Sequence, residues 1–401
     1  STTVAACAVC CLEVAIAFAQ SQPLSLADVL ARARERAPGL IAARLAHAEA
    51  RAQLVGASVR WQTNPELDAA AGDRNGPGGR FTDLEFGLSH VFEPGSRRDA
   101  RVAVANAAIA RTAADVEAAT RVVVRAAATA FYRALHARER VALLTRAREL
   151  ASTVHDAAQR RFRAGDIAVL DVNIARAALA RVRSDIASAE ANGAEAVGEL
   201  KQLLRLDDVN VSGAFALRAD AALAPALEAA AQRPEVRAIA AGIEEAQAEL
   251  RLGAALAKAD YGLGAKFARE EGDHIVLGAL TVTLPVFAKG QGQRALASAR
   301  LDALQSQAAA WQQQVRQEVT SRYEVYQRRL AAVRTLESDA IPGMDENERL
   351  ATRSFEVGQI GLPELLLLRR EILDTRAQFF DALLGAVLAQ IEFDASAGML
   401  R

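Results

Sequence analysis

The chain says the same thing twice, and any fold it adopts has to honour that. Pro38 in "RAPGLIAA" matches Pro234 in "QRPEVRAIAA", Phe92 in "VFEPGSRR" matches Phe287 in "VFAKGQGQR", and "RFRAGDIAVLDV" from Arg161 matches "SFEVGQIGLPEL" from Ser354. The offsets are 196, 195 and 193 residues, a drift of only three over the length of a repeat. Similarity that keeps one order of helix, hairpin, long helix, tip and return helix is the signature of internal duplication. Residues 20–206 form the first repeat and 220–398 the second, with 207–219 ("DDVNVSGAFALRA") as the joint and 399–401 as the end.

Each half opens on a helix carrying a Pro break (Pro38, Pro234) and ending near Thr63 or Ala259. Two extended stretches follow, 66–72 with 81–92 and 260–269 with 274–286, joined by the polar turns "DRNGPGG" and "EEGD". From Arg97 to Ala164 there is neither Gly nor Pro. A helix over that span is about 100 Å long at ~1.5 Å per residue. Ser96 is placed to be its N-cap. The second half is free of Gly and Pro from Gln293 to Ile341, pauses at Pro342-Gly343 and resumes to Val357. Each long helix stops at a Gly (Gly165, Gly358) and reverses into another helix. Of the residues, 51% are hydrophobic but only 5% are aromatic, and Ala dominates. Such lengths with so much alanine predict closely packed antiparallel helices.

The strands ask for something different. Leu84, Phe86 and Leu88 alternate with Asp83, Glu85, Gly87 and Ser89, while Tyr261, Leu263 and Phe267 alternate with Gly262, Gly264 and Lys266. Val276, Leu280, Val282 and Leu284 fall on one side of the last strand, and Leu277, Ala279, Thr281 and Thr283 on the other. Strands of about ten residues, apolar on one side and small or polar on the other, suit a membrane β-barrel. Four strands cannot close a barrel, and an open edge in lipid leaves backbone groups unpaired at several kcal/mol each. Chains must therefore pool their strands, and a conduit favours three chains and twelve strands over two and eight.

All three cysteines, Cys7, Cys10 and Cys11, lie in an apolar run from Val4 to Phe18 broken only by Glu13. The run ends in Ala17-Phe18-Ala19, which predicts a secretory signal over 1–19 cleaved after Ala19; the competing reading is a lipoprotein box ending at Cys7. Cleavage after Ala19 leaves no cysteine for a disulfide or a thiolate metal site. A formal net charge of -1 excludes the global basic field that nucleic-acid binding needs.

"VFEPGSRRDARVAVANA" and "LTVTLPVFAKGQGQRALASA", each a strand exit running into a long helix, together with the tips "RRFRAGDIAVLDVNIARAAL" and "RSFEVGQIGLPELLLLRREIL", resemble the TolC family of outer-membrane efflux ducts. The resemblance implies a mainly α protein with β. Its duplicated antiparallel helical hairpins would form an α-barrel in the periplasm, and its four strands per chain would join a twelve-stranded barrel in the outer membrane of a homotrimer. It also implies docking to a periplasmic adaptor (membrane fusion protein) and an inner-membrane RND-type pump. The Arg-rich first exit and Gln-Gly second exit are most similar to the CzcC-like branch, which serves pumps for divalent heavy-metal cations.

A duct needs no catalytic group and no cofactor, and the sequence offers neither. His47, His90, His136, His155 and His274 are scattered without ligand spacing, so no metal site is expected. "REEGDH", Arg269 to His274, reads as a solvated outer turn, with a cation-attracting rim as the other reading. Asp171 and Glu364 each sit six residues past a tip Gly, and a threefold axis would gather their copies into carboxylate rings at the periplasmic gate. Both also lie where a carboxylate complements the positive end of a helix, and one residue can do both. In the family, acids just past the second tip contribute to the closed entrance. Here Glu364 is followed by Leu367 and only later by Asp374, which departs from a double acidic ring. Arg163, Gly165 and Asp166, with Glu356, Gly358 and Gln359, are the tip residues expected to meet the adaptor, and Phe162 and Phe355 are expected to pack the tips. Leu84, Phe86, Leu88, Val276, Leu280, Val282 and Leu284 are expected to face lipid.

Two other functions remain open on sequence alone. The same duct could carry organic drugs or type I secretion substrates. Alternatively, the chain could be a soluble periplasmic coiled-coil scaffold whose hairpins fold back on its own helices.

Overall fold

A computed structural model describes residues 23–218, 220–271 and 273–400. Residues 1–19, where the sequence predicts a secretory signal cleaved after Ala19 or, in the competing reading, a lipoprotein box at Cys7, lie outside the described residues. The first repeat comprises α1 (Leu26–Arg36), a 3₁₀ turn at Pro38–Leu40, α2 (Ile41–Ser58), β1 (Glu66–Gly76), β2 (Gly79–Phe92), α3 (Gly95–Arg163) and α4 (Val169–Leu204). The second comprises α5 (Leu223–Ala230), α6 (Pro234–Ala255), β3 (Asp260–Glu270), β4 (Asp273–Thr283), α7 (Gln291–Thr335), a π-helical segment Leu336–Ala340, α8 (Met344–Glu356) and α9 (Leu362–Ala397). The protein is mostly helical, with one four-stranded antiparallel sheet.

The helices form a layer. Above the middle of the molecule α3 lies between α2 and α6, and α7 flanks α6. Below it α3 lies between α4 and α9, and α9 also packs on α7 and α8. Alanine makes the closeness possible. Of the buried residues of α3, Ala100, Ala105, Ala127, Ala130, Ala134 and Ala137 carry only a methyl group. A Cβ on Gly193 of α4 would sit 3.2 Å from that of Ala137. Tighter still is the crossing where α7 begins: Gly290 has φ +68°, and a Cβ there would stand 2.3 Å from the carbonyl oxygen of Gly253. Only glycine fits that junction.

Bulkier side chains gather at mid-height, where the layer needs depth. Phe131, Leu135, Leu200 and Leu204 pack with Val29 and Leu40 from α1 and the turn after it, and with Val209 and Val211 from the segment between the repeats. That segment runs beside the N-terminal residues, Leu24 N–H donating to Asn210 C=O (2.7 Å) and Ser212 N–H to Leu24 C=O (3.0 Å). A second cluster buries Val319, Tyr326, Leu330 and Phe393. Beside it Arg233 donates to Glu318 and to the Ser396 carbonyl, each at 3.0 Å, while Arg121 donates to the Ala395 carbonyl. Two guanidinium groups thus reinforce the C-terminal end of α9, where Gly398 N–H also donates to Ala395 C=O (3.1 Å) and Met399 N–H to Asp394 C=O (2.8 Å).

The sheet order is β1-β2-β3-β4, so the two hairpins pair through β2 and β3, and among the described residues β1 and β4 are edges without a partner strand. Among the described residues no helix packs extensively against either face, so the hairpins do not fold back on the helices of this chain.

Several boundaries differ from those read in the sequence. The first helix ends at Ser58 and not near Thr63, whose hydroxyl instead donates to the Val91 carbonyl at 2.8 Å in the connection to the sheet. Ser96 does not cap α3. Pro94 occupies the cap with extended backbone (φ -59°, ψ 135°), the helix begins one residue before Ser96, and the Ser96 hydroxyl accepts from Lys258 Nζ at 3.0 Å. The long helix of the second repeat does not run to Ile341. Its ladder slips to π geometry at Leu336, with Ile341 N–H donating to the Leu336 carbonyl at 2.9 Å, ahead of Pro342, whose ring cannot continue the ladder.

Candidate functional site

In an antiparallel sheet, residues opposite one another share a face, so the register assigns every strand side chain. Leu67 pairs with Leu88, Phe86 with Phe267, Phe267 with Val276, Leu263 with Leu280 and Tyr261 with Val282. Together they make one continuous apolar face. It is open to solvent in the single chain: Leu67 is 76% exposed, Val276 77% and Leu280 69%. Monomeric soluble proteins rarely leave an apolar patch of that extent uncovered. Leu84, Phe86, Leu88, Val276, Leu280 and Val282 all lie on it. Leu284 lies past the end of β4, because Pro285 follows and ends the pairing, and it is exposed in the connection to α7. Trp61, His90 and Phe92 stack edge to face at the helix-side margin of the same face, with centroids 4.5 to 6.0 Å apart.

The opposite face is mainly small and charged, with Val91, Ile275 and Leu277 as its larger apolar members. Ser89, Gly87 and Glu85 of β2 alternate with the apolar set, as do Gly262, Gly264 and Lys266 of β3 and Thr281 and Thr283 of β4. Lys266 Nζ lies 2.5 Å from a Glu85 carboxylate oxygen. At the far end Arg74 ties the two hairpins together, reaching Asp83 at 2.8 Å, Glu271 at 3.2 Å and Glu270 at 3.4 Å. The "REEGDH" acids are therefore largely engaged by Arg74, which accords with a solvated turn better than with a free acidic rim.

At the other end of the molecule the two helix reversals are built alike. Gly165 has φ +83° and Gly358 φ +75°. In the first tip Asp166 N–H donates to Arg161 C=O (2.9 Å) and Gly165 N–H to Phe162 C=O (3.0 Å); in the second Gln359 N–H donates to Ser354 C=O (2.8 Å) and Gly358 N–H to Phe355 C=O (3.1 Å). Each is a Schellman motif, which needs a left-handed residue that glycine supplies without a Cβ penalty. Arg163, Gly165, Asp166, Glu356, Gly358 and Gln359 are all exposed. Beneath them the tips of the two repeats meet. Val154, Ala158, Val172 and Ala175 pack against Ala351, Leu362 and Leu365, with Ile167, Phe355 and Ile360 around them. Phe355 thus packs its tip, but Phe162 does not: it is 44% exposed, because its side of α3 faces away from the second tip.

Asp171 and Glu364 each lie in the first turn of a return helix, α4 and α9. Asp171 is half-buried and Glu364 exposed, and among the described residues neither forms an ion pair. Each precedes a residue, Val172 or Leu365, that anchors the shared core, so the packing brings both carboxylates to the same end of one chain. Leu367, 63% exposed, follows Glu364 on the open side of α9, and Asp374 is engaged by Arg370 at 3.4 Å.

The sequence reading missed the clasp that holds α8 onto α9. Arg376 reaches Asp345 (2.5 Å) and Glu348 (3.2 Å), and Arg369 donates to the Thr352 hydroxyl (3.1 Å) with its guanidinium held below the usual arginine range by burial. The signal was a pair of arginines seven residues apart on the return helix, Arg369 and Arg376, legible only once α8 is known to start after the π segment.

Four of the five histidines have local partners, while His90, beside Trp61 and Phe92, buries both ring nitrogens without a hydrogen bond among the described residues. His47 contacts the Thr112 hydroxyl (3.1 Å), His136 bonds Asp381 (2.8 Å), His155 meets Gln159 (2.9 Å) and His274 stacks on Phe267. Among the described residues no three potential metal ligands come together, and no helix is long and apolar enough to cross a membrane.

Residues 29–204, the greater part of the first repeat, match the family model "Outer membrane efflux protein". No curated protein sequence matches the chain significantly. Solved structures do. A membrane protein from Pseudomonas aeruginosa superposes with a TM-score of 0.77 at 18% identity, covering 93% of each chain. The outer membrane channel MtrE of Neisseria gonorrhoeae in its open state gives 0.74 at 18%, covering 94% of this chain and 89% of its own. The outer membrane protein VceC of Vibrio cholerae gives 0.74 at 16%, covering 93% of this chain and 96% of its own. At such identities the likeness establishes the fold, and it does so over nearly the full length of both partners.

Proposed function

We propose that the protein is the outer-membrane exit duct of a tripartite efflux system, passively conducting divalent heavy-metal cations that an inner-membrane RND-type pump delivers through a periplasmic adaptor. The observation that carries this reading is the sheet: four strands with one face apolar and exposed and, among the described residues, both edges unpaired and no helix covering either side. In lipid, unpaired edges are untenable, so identical chains must complete the cylinder. Three chains give twelve strands and a lumen wide enough to conduct. The apolar set from Leu84 to Val282 then faces hydrocarbon, and the helical layer continues the conduit into the periplasm. The channel structures of the same fold support the assignment of a transport function without catalysis.

At the periplasmic end, Asp171 and Glu364 form the gate, where carboxylate rings attract cations and repel anions. The exposed tips, Arg163 to Asp166 and Glu356 to Gln359, meet the adaptor. Preference for metal cations rests on the CzcC-like strand exits and on this acidic entrance; a duct for organic drugs or secreted polypeptides would share the architecture but not that phenotype.

The test has two parts. The full-length protein should fractionate with the outer membrane and open pores in planar bilayers, and Asp171→Ala with Glu364→Ala should lower its cation preference. A deletion strain should become sensitive to zinc, cobalt, cadmium or copper and stay indifferent to dyes and detergents. Recovery as a water-soluble monomer defeats the duct, and the reverse sensitivity defeats the metal assignment.

A further inference from the structure

The polar face of the sheet carries a charged belt that the helix tips do not account for. One register row runs Asp68, Gly87, Lys266, Leu277 across the four strands, and the adjacent row contains Glu85. Gly87 offers no side chain, so Asp68 leans over it: a Cβ placed on Gly87 would lie 3.6 Å from an Asp68 carboxylate oxygen. From the other side of Gly87, Lys266 turns to Glu85 at 2.5 Å. The row toward the helices holds Ser89, Gly264 and Ala279 beside Glu66, so long cationic side chains are absent there. Lys266 is the one lysine of the four strands. It neutralises Glu85 and leaves Asp68, and Glu66 one row nearer the helices, without an ion pair among the described residues, a surplus of two negative charges per chain across these rows.

We infer that this belt, Asp68 with the Glu85–Lys266 pair, is a second charge filter of the conduit, setting its preference for cations over anions inside the β-barrel at the end opposite the tip carboxylates. The inference rests on the duct reading, since the belt filters only if the polar face lines a lumen. Copies of Asp68 around a closed barrel stand in low-dielectric walls, where a ring of like charge concentrates counter-ions. Lys266 limits that field: it cancels one of the three carboxylates, Glu66, Asp68 and Glu85, that each chain brings to these rows. Removing it should therefore strengthen cation preference, an effect opposite in sign to that of losing Asp68, and a merely structural ion pair would produce no such opposition.

The experiment is the reversal potential of the full-length protein in planar bilayers under a KCl gradient. Asp68→Asn, isosteric and without a partner to orphan, should reduce the potassium-to-chloride permeability ratio by roughly twofold or more; Lys266→Gln should raise it by a comparable factor, and Lys266→Arg should leave it as in wild type. If Lys266→Gln fails to assemble, Asp68→Asn alone decides. Wild-type pores whose ratio is unmoved by Asp68→Asn overturn the belt and leave the duct standing. A wild-type protein that opens no pore overturns both.

Discussion

Asp394 shows how single charges are set in this protein. It sits in the last turns of α9, where Arg218 donates to it, and burial nevertheless lifts its carboxyl above the ordinary 3.8 because desolvation outweighs the guanidinium. The folded state then holds this proton more tightly than the unfolded chain. Stability attributable to the group is fully present below 3.8 and declines as pH rises through the raised folded value. At neutral pH the ionised carboxylate is a net cost. Asp394→Asn keeps an oxygen to accept from Arg218, and Arg218, 43% exposed, can turn its charge to water. The variant should therefore melt at or above wild type at pH 7 and lose that advantage near pH 3; thermal scans of the detergent-solubilised protein check it, and a variant melting several degrees lower at pH 7 contradicts it. Residues of this kind were the least legible in the sequence. Nothing in "QIEFDASAG" announces that Asp394 is buried, because its surroundings come from α7 and the segment before α5, far away in the chain. Phe162 and Phe355 occupy equivalent positions in the two tips and read alike, yet only one is covered, since burial depends on which side the other repeat approaches.

Elements were read more securely, because they rest on local rules. The alternation in the four strands, the long runs without Gly or Pro and the tip glycines each follow from backbone sterics or side-chain period alone. Where two local rules compete the reading slips: a serine at the head of a helix suggests a cap, but Pro94 fixes the turn two residues earlier. The π segment was illegible for the same reason. Leu336 to Ala340 has ordinary helical composition, and its widened turn is imposed by Pro342 downstream. The tips allow an element-scale prediction. Gly165 and Gly358 adopt left-handed backbone inside matching Schellman motifs, so Gly165→Ala or Gly358→Ala should cost about 1 kcal/mol each. The cost falls on the reversal and not on the packed core beneath it. Amide hydrogen exchange should quicken within residues 160–168 or 353–361 of the altered tip, while the exchange of Leu135 and Leu200 stays as in wild type. Equal acceleration at both places would show that the tips are not independent closures.

At the scale of the whole molecule, the single chain is visibly incomplete. Its sheet ends in β1 on one side and β4 on the other, both with a free row of backbone donors and acceptors, and the apolar face they bound is left to solvent. Two hairpins pair through β2 and β3, but four strands cannot curl tightly enough for β1 and β4 to meet. The closure proposed here joins β4 of one copy to β1 of the next, and it is directly testable because every cysteine of the chain falls within the first eleven residues. With Cys7, Cys10 and Cys11 replaced, one new cysteine on β1 at Ala69 or Ala71 and one on β4 at Gly278 or Leu280, all on the apolar face, gives four pairings that sample the register between copies. At least one should oxidise between chains in membranes, since opposed strand residues bring Cβ atoms within roughly 4.5–5.5 Å, near the distance a disulfide spans. The crosslinked product should run as a ladder ending at three chains, because each subunit offers one donor edge and one acceptor edge. A ladder ending at two chains would mean an eight-stranded barrel filled by its own side chains, and with it the loss of any conduit; crosslinks formed only within a chain would mean that the edges never meet another copy at all.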